Sequence, residues 1–446
     1  MSAILPSPKD WPSVLLARAR AKDPTNLDDA VKRGAFEGLR RAIRELGPEG
    51  TVAEVEAAGL RGRGGAGHPT AAKWRAAAAT GARERFVVAN GYGADPAAGT
   101  DRTLIETDPY GVIEGAAIAA FAAGAEQVYL SVRATDTAAV TRLQAAVDAA
   151  SSRNFVGDDV LASGRRIEVE VRPVQGAYML GEETVLLKAL DGKRGQPEQR
   201  PPHPATRGFR YAPTVVQNVQ TLAAVPWILR NGAGAFAAIG KGDATGTILV
   251  DLRGHARSGV AEVPLGTPLE DIVGLGGAPG AGRTLKAVVV GGPTGGILPP
   301  EQLGTPYTFD DLRAVGAHIG SGSVIVADDR ACVVDLARLL TRYAADEACG
   351  KTIPCRIGVR RIAEIGERLT TGTSRGGDLG LLEDLAADVV GSALCDHERL
   401  ATLPMMTGLR YFRDEVDAHY LRGDCPAGVC RTVRLATDRA PVGATA

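Results

Sequence analysis

The sequence predicts an α/β protein with a parallel sheet, followed by a small α+β part and a helical C-terminal part. In the first half, short apolar runs typical of strands alternate with segments of helical spacing, which favours a parallel sheet. Near residue 245 the pattern changes to short strands and glycine turns, which end near residue 305. Beyond residue 330 the apolar residues recur mainly at helical spacing.

The elements follow one another in an order that places a glycine-dense loop before the sheet. Helical spacing at 27–46 and 51–60 precedes this loop, which covers residues 61–74. Strands are predicted at 85–90, 127–133 and 166–174, and helices at 109–124, 136–152 and 181–190. A Pro-rich loop follows at 193–208, and long loops of this kind are usually functional or mobile. A later helix at 331–348 runs into Cys349.

Composition and net charge argue for a globular protein of several domains and against some binding functions. The 446 residues exceed one ordinary core and predict two to four domains. A formal net charge of −1, with 45% hydrophobic and 23% charged residues, argues against a nucleic-acid binder or a membrane-surface protein. We find no secretory signal and no apolar run long enough to span a membrane, so a cytoplasmic location is expected.

Cysteine usage indicates a metal or cluster. In a reducing compartment the six cysteines are not expected to form structural disulfides. Five of the six lie between residues 349 and 430, and such clustering favours metal binding.

The glycine-dense loop has a spacing that fits G-x-G-x-x-G at Gly62, Gly64 and Gly67. The dinucleotide fingerprint should follow a strand, whereas a helical segment precedes this loop, so a standard Rossmann loop is not favoured. The glycines could still bring backbone N–H groups to a phosphate, with Lys73 adding a positive charge. The alternative is a flexible turn.

Adjacent carboxylates, Glu182 and Glu183, stand at a predicted helix start. Acidic residues favour a helix N-terminus for electrostatic reasons alone, so this pair needs no functional explanation by itself.

The segment "ACGKTIPCRIG" at 348–358 has the three-residue step of an iron–sulfur loop, with Cys349, Thr352 and Cys355 in the three positions. Cys395 follows 40 residues later and could supply a distant thiolate, so three cysteines fit a cluster with one iron not held by thiolate. The alternative is a pair of unligated thiols at a helix end.

The C-terminal segment "HYLRGDCPAGVC" forms a second group. His419, Cys425 and Cys430 suit a structural zinc site that would need a fourth ligand, and a second Fe–S cluster is the rival. Cys332 lies on the apolar side of a predicted helix and is expected to be a core residue.

Several segments together resemble the NADH-binding flavoprotein subunit of respiratory complex I and its relatives in soluble NAD-linked hydrogenases and formate dehydrogenases. The likeness covers about residues 30–435, and the tail resembles the form found in the hydrogenase-type relatives. The matching segments are "GLRGRGGAGHPTAAKW" (59–74), "GAYMLGEETVLLKALDGKRGQP" (176–197), "PTVVQNVQTLAAVP" (213–226) and "ACGKTIPCRIG" (348–358).

The resemblance implies a division into five parts. These are an N-terminal extension (1–28), a Rossmann-like FMN- and nucleotide-binding domain (29–240), a small β-grasp domain (241–328), a helical Fe–S domain (329–412) and a Cys/His tail (413–446).

The resemblance also implies the cofactors and their residues. FMN would lie against the glycine loop, take a hydride from NADH and pass electrons singly to a 4Fe–4S cluster. The implied flavin-site residues are Gly62, Gly64, Gly65, Gly67, Lys73, Asn90, Tyr178, Gly181, Glu182, Glu183, Asn218 and Thr221. Glu183 would orient the nucleotide near the flavin, and Asp95 keeps a carboxylate where the family has Glu, so both are predicted as catalytic residues.

The chain departs from the family in its functional pockets. In "ANGYGADPA" (89–97), Tyr92, Gly93 and Ala94 replace Asp, Glu and Ser. The phenylalanine positions of the nucleotide pocket hold His68, Ala76 and His203, and two polar positions hold Gln217 and Gln220. At Thr352 a cluster cysteine is missing, which predicts a 4Fe–4S cluster with an open iron or a 3Fe–4S form.

These features predict an FMN- and Fe–S-dependent oxidoreductase subunit that passes electrons from NAD(P)H to an iron–sulfur partner. The expected partner is a ferredoxin or a thioredoxin-like 2Fe–2S subunit within a hetero-oligomer, without nucleic acid and without a membrane span. Two alternatives remain: a flavin and Fe–S module that uses a donor other than NADH, and a non-catalytic scaffold subunit.

Overall fold

A computed structural model describes residues 3–19, 21–280 and 282–430 of the chain. Its first sheet is parallel, with the strand order β3-β2-β1-β4. These strands are β1 (Phe86–Gly91), β2 (Gln127–Arg133), β3 (Glu168–Val174) and β4 (Thr214–Asn218). Alternate residues of β1 point to opposite faces, and both faces are buried: Val87 joins one hydrophobic cluster and Val88 another.

Helices pack against this sheet and extend beyond it. They are α1 (Leu27–Lys32), α2 (Glu37–Arg41), α3 (Gly47–Ala57), α4 (Thr70–Ala78), α5 (Thr100–Thr107), α6 (Pro109–Ala123), α7 (Thr137–Ser152), α8 (Glu183–Leu190), α9 (Val219–Asn231) and α10 (Ala233–Ala237), with a π-helical turn at Ala42–Leu46. Every residue of α6 is buried, and a Cβ on its Gly115 would lie 1.9 Å from the carbonyl oxygen of Leu222 on α9. Glycine therefore allows these two helices to touch.

The single helix predicted over 27–46 is wrong, because the segment is broken between α1 and α2. Gly34 and Phe36 adopt left-handed backbone angles, with φ of +89° and +64°. The turn places Phe36 in the core, where its ring stacks on Phe155 at a centroid distance of 4.1 Å. Burial of an aromatic side chain thus outweighs the strain of a positive φ.

The second sheet has five strands in the order β10-β9-β11-β7-β8, and β11 and β7 run parallel while the other neighbours run antiparallel. The elements here are β5 (Gly240–Lys241), β6 (Ala244–Thr245), β7 (Thr247–Arg253), β8 (Gly259–Pro264), α11 (Leu269–Gly276), β9 (Leu285–Val290), β10 (Gly296–Leu298), α12 (Phe309–Ala314) and β11 (Ser323–Asp328). Strands β5 and β6 form a separate antiparallel ribbon.

The N-terminal segment joins this second sheet at its β8 edge, where Ile4 pairs with Val260. The carboxylate of Glu262 on β8 accepts hydrogen bonds from the backbone N–H groups of Val14, Leu15 and Leu16, at 2.7–3.0 Å. A buried carboxylate therefore holds a segment that would otherwise leave three donors unpaired.

The rest of the described chain is helical. Its helices are α13 (Val333–Asp346), α14 (Arg360–Thr371), α15 (Asp378–Gly391), α16 (Asp396–Leu400), α17 (Leu403–Tyr411) and α18 (Arg413–Arg422), with a π-helical turn at Pro354–Val359. No helix in the described ranges is both long and apolar enough to cross a bilayer. The predicted tail continues to residue 446, but its residues 431–446 lie outside the described ranges. The predicted fold class is confirmed: a four-stranded parallel sheet in an α/β layer, a second sheet of five strands and C-terminal helices.

Candidate functional site

The glycine loop lies between α3 and α4 and closes on itself. The N–H of Gly62 donates to the carbonyl of His68 at 2.8 Å. Gly65 and Gly67 adopt φ of +103° and +66°, and a Cβ on Gly67 would come within 2.8 Å of the Phe309 ring. Gly64 has only the Cβ of Asn218 nearby, at 3.4 Å. The loop therefore needs glycine both for its backbone angles and for its contacts.

Arg63 holds this loop against the second sheet, and no sequence motif pointed to that role. Its side chain is 1% exposed and donates to the carbonyls of Arg61, Thr245 and Thr247 at 2.6–3.0 Å. Its backbone N–H donates to the hydroxyl of Thr221 at 2.8 Å. Burial, with a smaller contribution from Arg61, lowers the pKa of Arg63 to about 9. Thr221 thus positions the loop from the start of α9.

Lys73 and the two adjacent glutamates form a charged group beside the glycine loop. The Lys73 ammonium lies 2.6 Å from Glu183 Oε2 and also donates to the carbonyl of Val216. Arg200, from the Pro-rich loop, lies 3.3 Å from Glu183 Oε1 and also pairs with Glu182. Burial raises the pKa of Glu183, but Lys73 and Arg200 outweigh it, so the net pKa is lowered.

Glu182 acts as the N-cap of α8. Its carboxylate accepts from the backbone N–H groups of Thr184 and Val185, each at 2.9 Å. This is the structural role that its position at a helix start predicted. Glu183 is the residue of the pair whose carboxylate faces Lys73.

The carboxyl ends of β1 and β4 bring Asn90 and Asn218 together, since these two residues are paired in register. Asn218 caps α9 and donates from its side chain to Asp101 at 2.8 Å. Asp101 also accepts from Gln220 at 2.9 Å. Burial raises the pKa of Asp101 to about 6, although both amide donors lower it. Asp101 was not predicted from the sequence, because α5 was not recognised as a helix.

Tyr178 and Gly181 lie in the turn that precedes α8. The N–H of Tyr178 donates to the carboxylate of Glu347 at 2.8 Å, and its hydroxyl lies 3.2 Å from the hydroxyl of Thr294. Burial raises the pKa of the Tyr178 phenol. The carbonyl of Gly181 accepts from the Asn90 side chain at 3.4 Å. This turn therefore contacts the first sheet, the second sheet and the C-terminal helices.

Asp95 is buried and faces Ser323, whereas the Glu183 carboxylate faces Lys73. The Asp95 carboxylate is 3% exposed and accepts from the Ser323 hydroxyl and the Ala97 N–H, each at 2.8 Å. Burial raises the pKa of Asp95. The nearby Tyr92 is also buried, and its hydroxyl donates to the carbonyl of Gly176 at 2.6 Å. The divergent 92–95 segment thus hydrogen-bonds to Gly176 and to Ser323 on β11. The catalytic role of Asp95 stays a prediction.

Both histidines at the aromatic positions are exposed. His68 follows the glycine loop, and its charge contributes to the lowered pKa of Glu183, so it lies on the Lys73 side of the site. His203 lies on the Pro-rich loop, where its carbonyl accepts from the N–H of Thr206. The structure therefore leaves both imidazoles accessible to a ligand.

Three cysteines approach one another near this site. Cys349 and Cys395 both pack against the hydrophobic cluster that underlies α8. Burial raises the pKa of Cys395 to about 11 and that of Cys355 to about 12, and the nearby Cys349 adds to both. The charge of Glu398 also raises the pKa of Cys355, whereas a hydrogen bond from the Glu398 backbone lowers that of Cys395. The Thr352 hydroxyl donates to Glu398 at 2.9 Å. Glu398 was not singled out from the sequence.

A second group lies at the C-terminal end of the described chain. The donor atoms of Cys332, His419, Cys425 and Cys430 all lie within 4.8 Å of one another. Cys332 Sγ is 3.4 Å from His419 Nε2 and 3.6 Å from Cys430 Sγ. The prediction of Cys332 as an ordinary core residue was incomplete: it is buried, but its sulfur faces the three predicted ligands.

Comparisons with known proteins place these features in one family. The sequence model of the Nuo51 FMN-binding domain matches residues 55–227, and that of the NADH-ubiquinone oxidoreductase-F iron-sulfur binding region matches residues 335–419. The NADP-reducing hydrogenase subunit HndC of Solidesulfovibrio fructosivorans is 37% identical over 410 residues, which cover 92% of this chain and 83% of the relative. An F-type subunit of the NADH-quinone oxidoreductase of Rhizobium meliloti is 36% identical over 415 residues, covering 93% and 99%.

The chain belongs to the family that includes the F subunits of NADH-quinone oxidoreductase and the hydrogenase subunit HndC. A crystal structure of an NAD+-reducing [NiFe]-hydrogenase in the H2-reduced state aligns with a TM-score of 0.83 and 32% identity, over 96% of this chain and 69% of that one. The predicted resemblance is therefore confirmed, and with it the FMN-binding domain and the iron–sulfur region.

The described residues fit both cofactors of this family. The loop at Gly64 has room beside it and a lysine nearby, which suits a phosphate. Thiols are the donors that iron–sulfur clusters take, and Cys349, Cys355 and Cys395 provide three.

Proposed function

We propose that the chain is an electron-transfer subunit that oxidises NAD(P)H with bound FMN and delivers electrons through its iron–sulfur cluster to an iron–sulfur partner protein. The observation that carries this proposal is the contact between the two cofactor regions. Gln196, from the Pro-rich loop beside Glu183, donates to the carbonyl of Cys349 at 3.3 Å, and Tyr178 donates to Glu347, two residues before Cys349.

Bound FMN would supply the exchange between two-electron transfer from a nicotinamide and one-electron transfer to iron–sulfur centres. The glycine loop would meet the phosphate with its backbone, and Lys73 would add positive charge. Glu183 stays ionised because its pKa is lowered, so it offers a fixed negative charge beside Lys73. Asn90 and Asn218 would hold polar groups of the flavin at the carboxyl edge of the sheet.

The proposal is tested by anaerobic purification followed by flavin, iron and sulfide analysis and by stopped-flow reduction with NADH and with NADPH. We expect FMN to be bound and to be bleached by at least one nucleotide. Lys73→Met should lower the FMN content several-fold, because the phosphate loses its point charge and Glu183 loses its nearest cation.

Arg75→Met is the matched control, since Arg75 is exposed on the same helix and pairs with Glu56 at 2.6 Å. It should leave the FMN content unchanged. If reconstituted wild-type protein holds no flavin, the proposal is wrong and the scaffold alternative stands.

A donor other than NADH is favoured by one observation, the divergent 92–95 segment. Tyr92 and Asp95 are directed into the interior, where they bond to Gly176 and Ser323. Flavin that reconstitutes but is bleached by neither NADH nor NADPH at micromolar concentration would support that alternative. Rapid bleaching by NADH at micromolar concentration would exclude it.

We further propose that the partner is a ferredoxin or a thioredoxin-like 2Fe–2S subunit in a hetero-oligomer. Support comes from the names of the relatives, which describe subunits of larger enzymes. Co-expression with neighbouring genes and native mass spectrometry would test it, with the appearance of a stable complex containing a 2Fe–2S protein as the expected result.

We infer that Cys332, His419, Cys425 and Cys430 hold a structural zinc ion. Tetrahedral Zn²⁺ with bonds of 2.0–2.3 Å places neighbouring ligands roughly 3.5–4 Å apart, which the 3.4 and 3.6 Å separations approach. The His419 Nδ1 lies 2.8 Å from the carbonyl of Glu415, so Nε2 is the nitrogen turned to the sulfurs.

Metal analysis distinguishes zinc from a second cluster at this group. We expect about one zinc per chain, lost in Cys332→Ser with a lower melting temperature and retained in Cys355→Ser. Additional iron and sulfide that disappear in Cys332→Ser would instead establish the second cluster.

A further inference from the structure

Glu398 is a buried carboxylate at the cluster loop. It lies on α16, three residues after Cys395, and is 1% exposed. Its Oε2 accepts from the N–H of Leu394 at 2.9 Å, and its Oε1 accepts from the Thr352 hydroxyl at 2.9 Å. Among the described residues it forms no ion pair with Lys, Arg or His. A carboxylate this deeply buried is costly unless it has a positive partner.

Thr352 stands where the C-x₂-C-x₂-C step of an iron–sulfur loop would have its middle thiolate. A neutral hydroxyl is a poor ligand for iron in such a cluster. The carboxylate bonded to that hydroxyl carries the same single negative charge as the thiolate that is missing. Carboxylate oxygens are established ligands of iron in proteins.

The hydrogen bonds of Glu398 leave one carboxylate oxygen, Oε1, able to exchange its partner. Oε2 is fixed by the backbone of Leu394, in the loop that carries Cys395. Oε1 is held only through the Thr352 hydroxyl, which can rotate its proton to another acceptor. An iron ion bound beside residue 352 would therefore be coordinated by Oε1 of Glu398.

His397 is the competing ligand from the same helix. Its Nε2 lies 3.0 Å from the carbonyl of Ala344, and its ring lies 5.6 Å from the Tyr178 ring. Its buried Nδ1 has no hydrogen-bond partner among the described residues. Glu398 is favoured because its contact is with Thr352 itself.

We propose that Glu398 is the fourth ligand of the iron–sulfur cluster and replaces the thiolate absent at Thr352. The proposal rests on the proposed cluster, bound also by Cys349, Cys355 and Cys395. The prediction of an open iron or a 3Fe–4S form then gives way to a complete 4Fe–4S cluster with one oxygen-ligated iron.

The test uses full-length protein reconstituted anaerobically with ⁵⁷Fe. Mössbauer spectra of the wild type should show one iron site distinct from the other three. Glu398→Ala should lose one iron per cluster and give the electron paramagnetic resonance signal of a 3Fe–4S centre after oxidation. In Thr352→Cys/Glu398→Ala the fourth iron should return, because a thiolate again occupies the position.

Glu383→Ala is the matched control, an exposed glutamate on α15, and should leave the iron count unchanged. A Glu398→Ala protein that keeps four irons and the wild-type Mössbauer spectrum would overturn the proposal. Wild-type protein without iron would overturn it together with the proposed cluster, whereas nucleotide-dependent flavin bleaching reports the flavin site separately.

A measurement on the wild type covers the case in which Glu398→Ala does not fold. Electron–nuclear double resonance of the reduced cluster, after labelling with ¹³C-glutamate, should show a carbon coupling. A coupling to ¹⁵N-histidine in its place would overturn Glu398 in favour of His397.

Discussion

Burial raises the pKa of the Glu183 carboxyl, whereas the neighbouring positive charges lower it by more. The folded-state pKa is lowered from 4.5, so ionised Glu183 contributes stability above about pH 4.5, and this contribution is lost as the pH falls through the folded value. We expect apo wild-type protein to be more stable than Glu183→Gln at about pH 6, with a gap that narrows on acidification below about pH 4.5. Urea unfolding across this range measures the gap, and a constant gap would contradict the assignment.

The pKa of Asp101 shifts in the opposite direction, since it is raised on folding. Its pKa rises from 3.8 to about 6 on folding, so the folded state binds the proton more tightly, and the stability that this proton provides is lost as the pH rises from about 4 to about 6. Relative to Asp101→Asn, the wild type should lose about 3 kcal/mol between about pH 4 and pH 7. Chemical unfolding of both proteins over this range would show it, and parallel curves would argue against a raised pKa.

Cys332 could not be assigned to the Cys/His group from its neighbours in the sequence. His419, Cys425 and Cys430 were recognisable as a ligand group because they lie within twelve residues. Cys332 lies 87 residues before His419, and only the packing of α13 against α18 brings its sulfur to the imidazole. Glu398 was missed for a related reason: its meaning depends on a hydrogen bond to a residue 46 positions away.

The glycine loop is the element on which the flavin region depends. Gly67→Ala would combine a positive φ with a Cβ 2.8 Å from the Phe309 ring, so the loop or α12 must shift. We expect a loss of about 1–3 kcal/mol in unfolding free energy and a several-fold loss of bound FMN. Gly81→Ala, where no atom lies within 4 Å, is the control and should change neither quantity.

Elements with strong period-two or helical patterns were predictable, and those shaped by distant contacts were not. Strand β2 has the predicted bounds of 127–133, and α6 differs from its prediction by one residue. The 27–46 segment breaks at Phe36 because Phe155 offers a stacking partner that the local pattern cannot reveal. Helix α5 was not predicted because Leu104 and Ile105 are its only apolar residues, so the segment shows no apolar repeat at helical spacing, although most of its residues are buried.

At the scale of the molecule, residues 3–19 tie the two sheets together. Glu262 of the second sheet binds the N–H groups of 14–16, while Arg18 pairs with Asp108 at the start of α6 at 3.0 Å. Glu262→Gln removes one acceptor oxygen, and amide exchange in 13–16 should accelerate by about tenfold or more. Hydrogen-exchange mass spectrometry would measure this against Glu270→Gln, whose side chain is exposed, and unchanged protection of 13–16 would refute the anchoring role.

The separation of 98 residues between Cys332 and Cys430 has a consequence for biosynthesis. The first ligand leaves the ribosome long before the last, so the proposed zinc cannot complete its coordination shell until residue 430 has been translated. A message truncated anywhere in that interval would yield a product that lacks at least one of the four ligands and cannot complete the site.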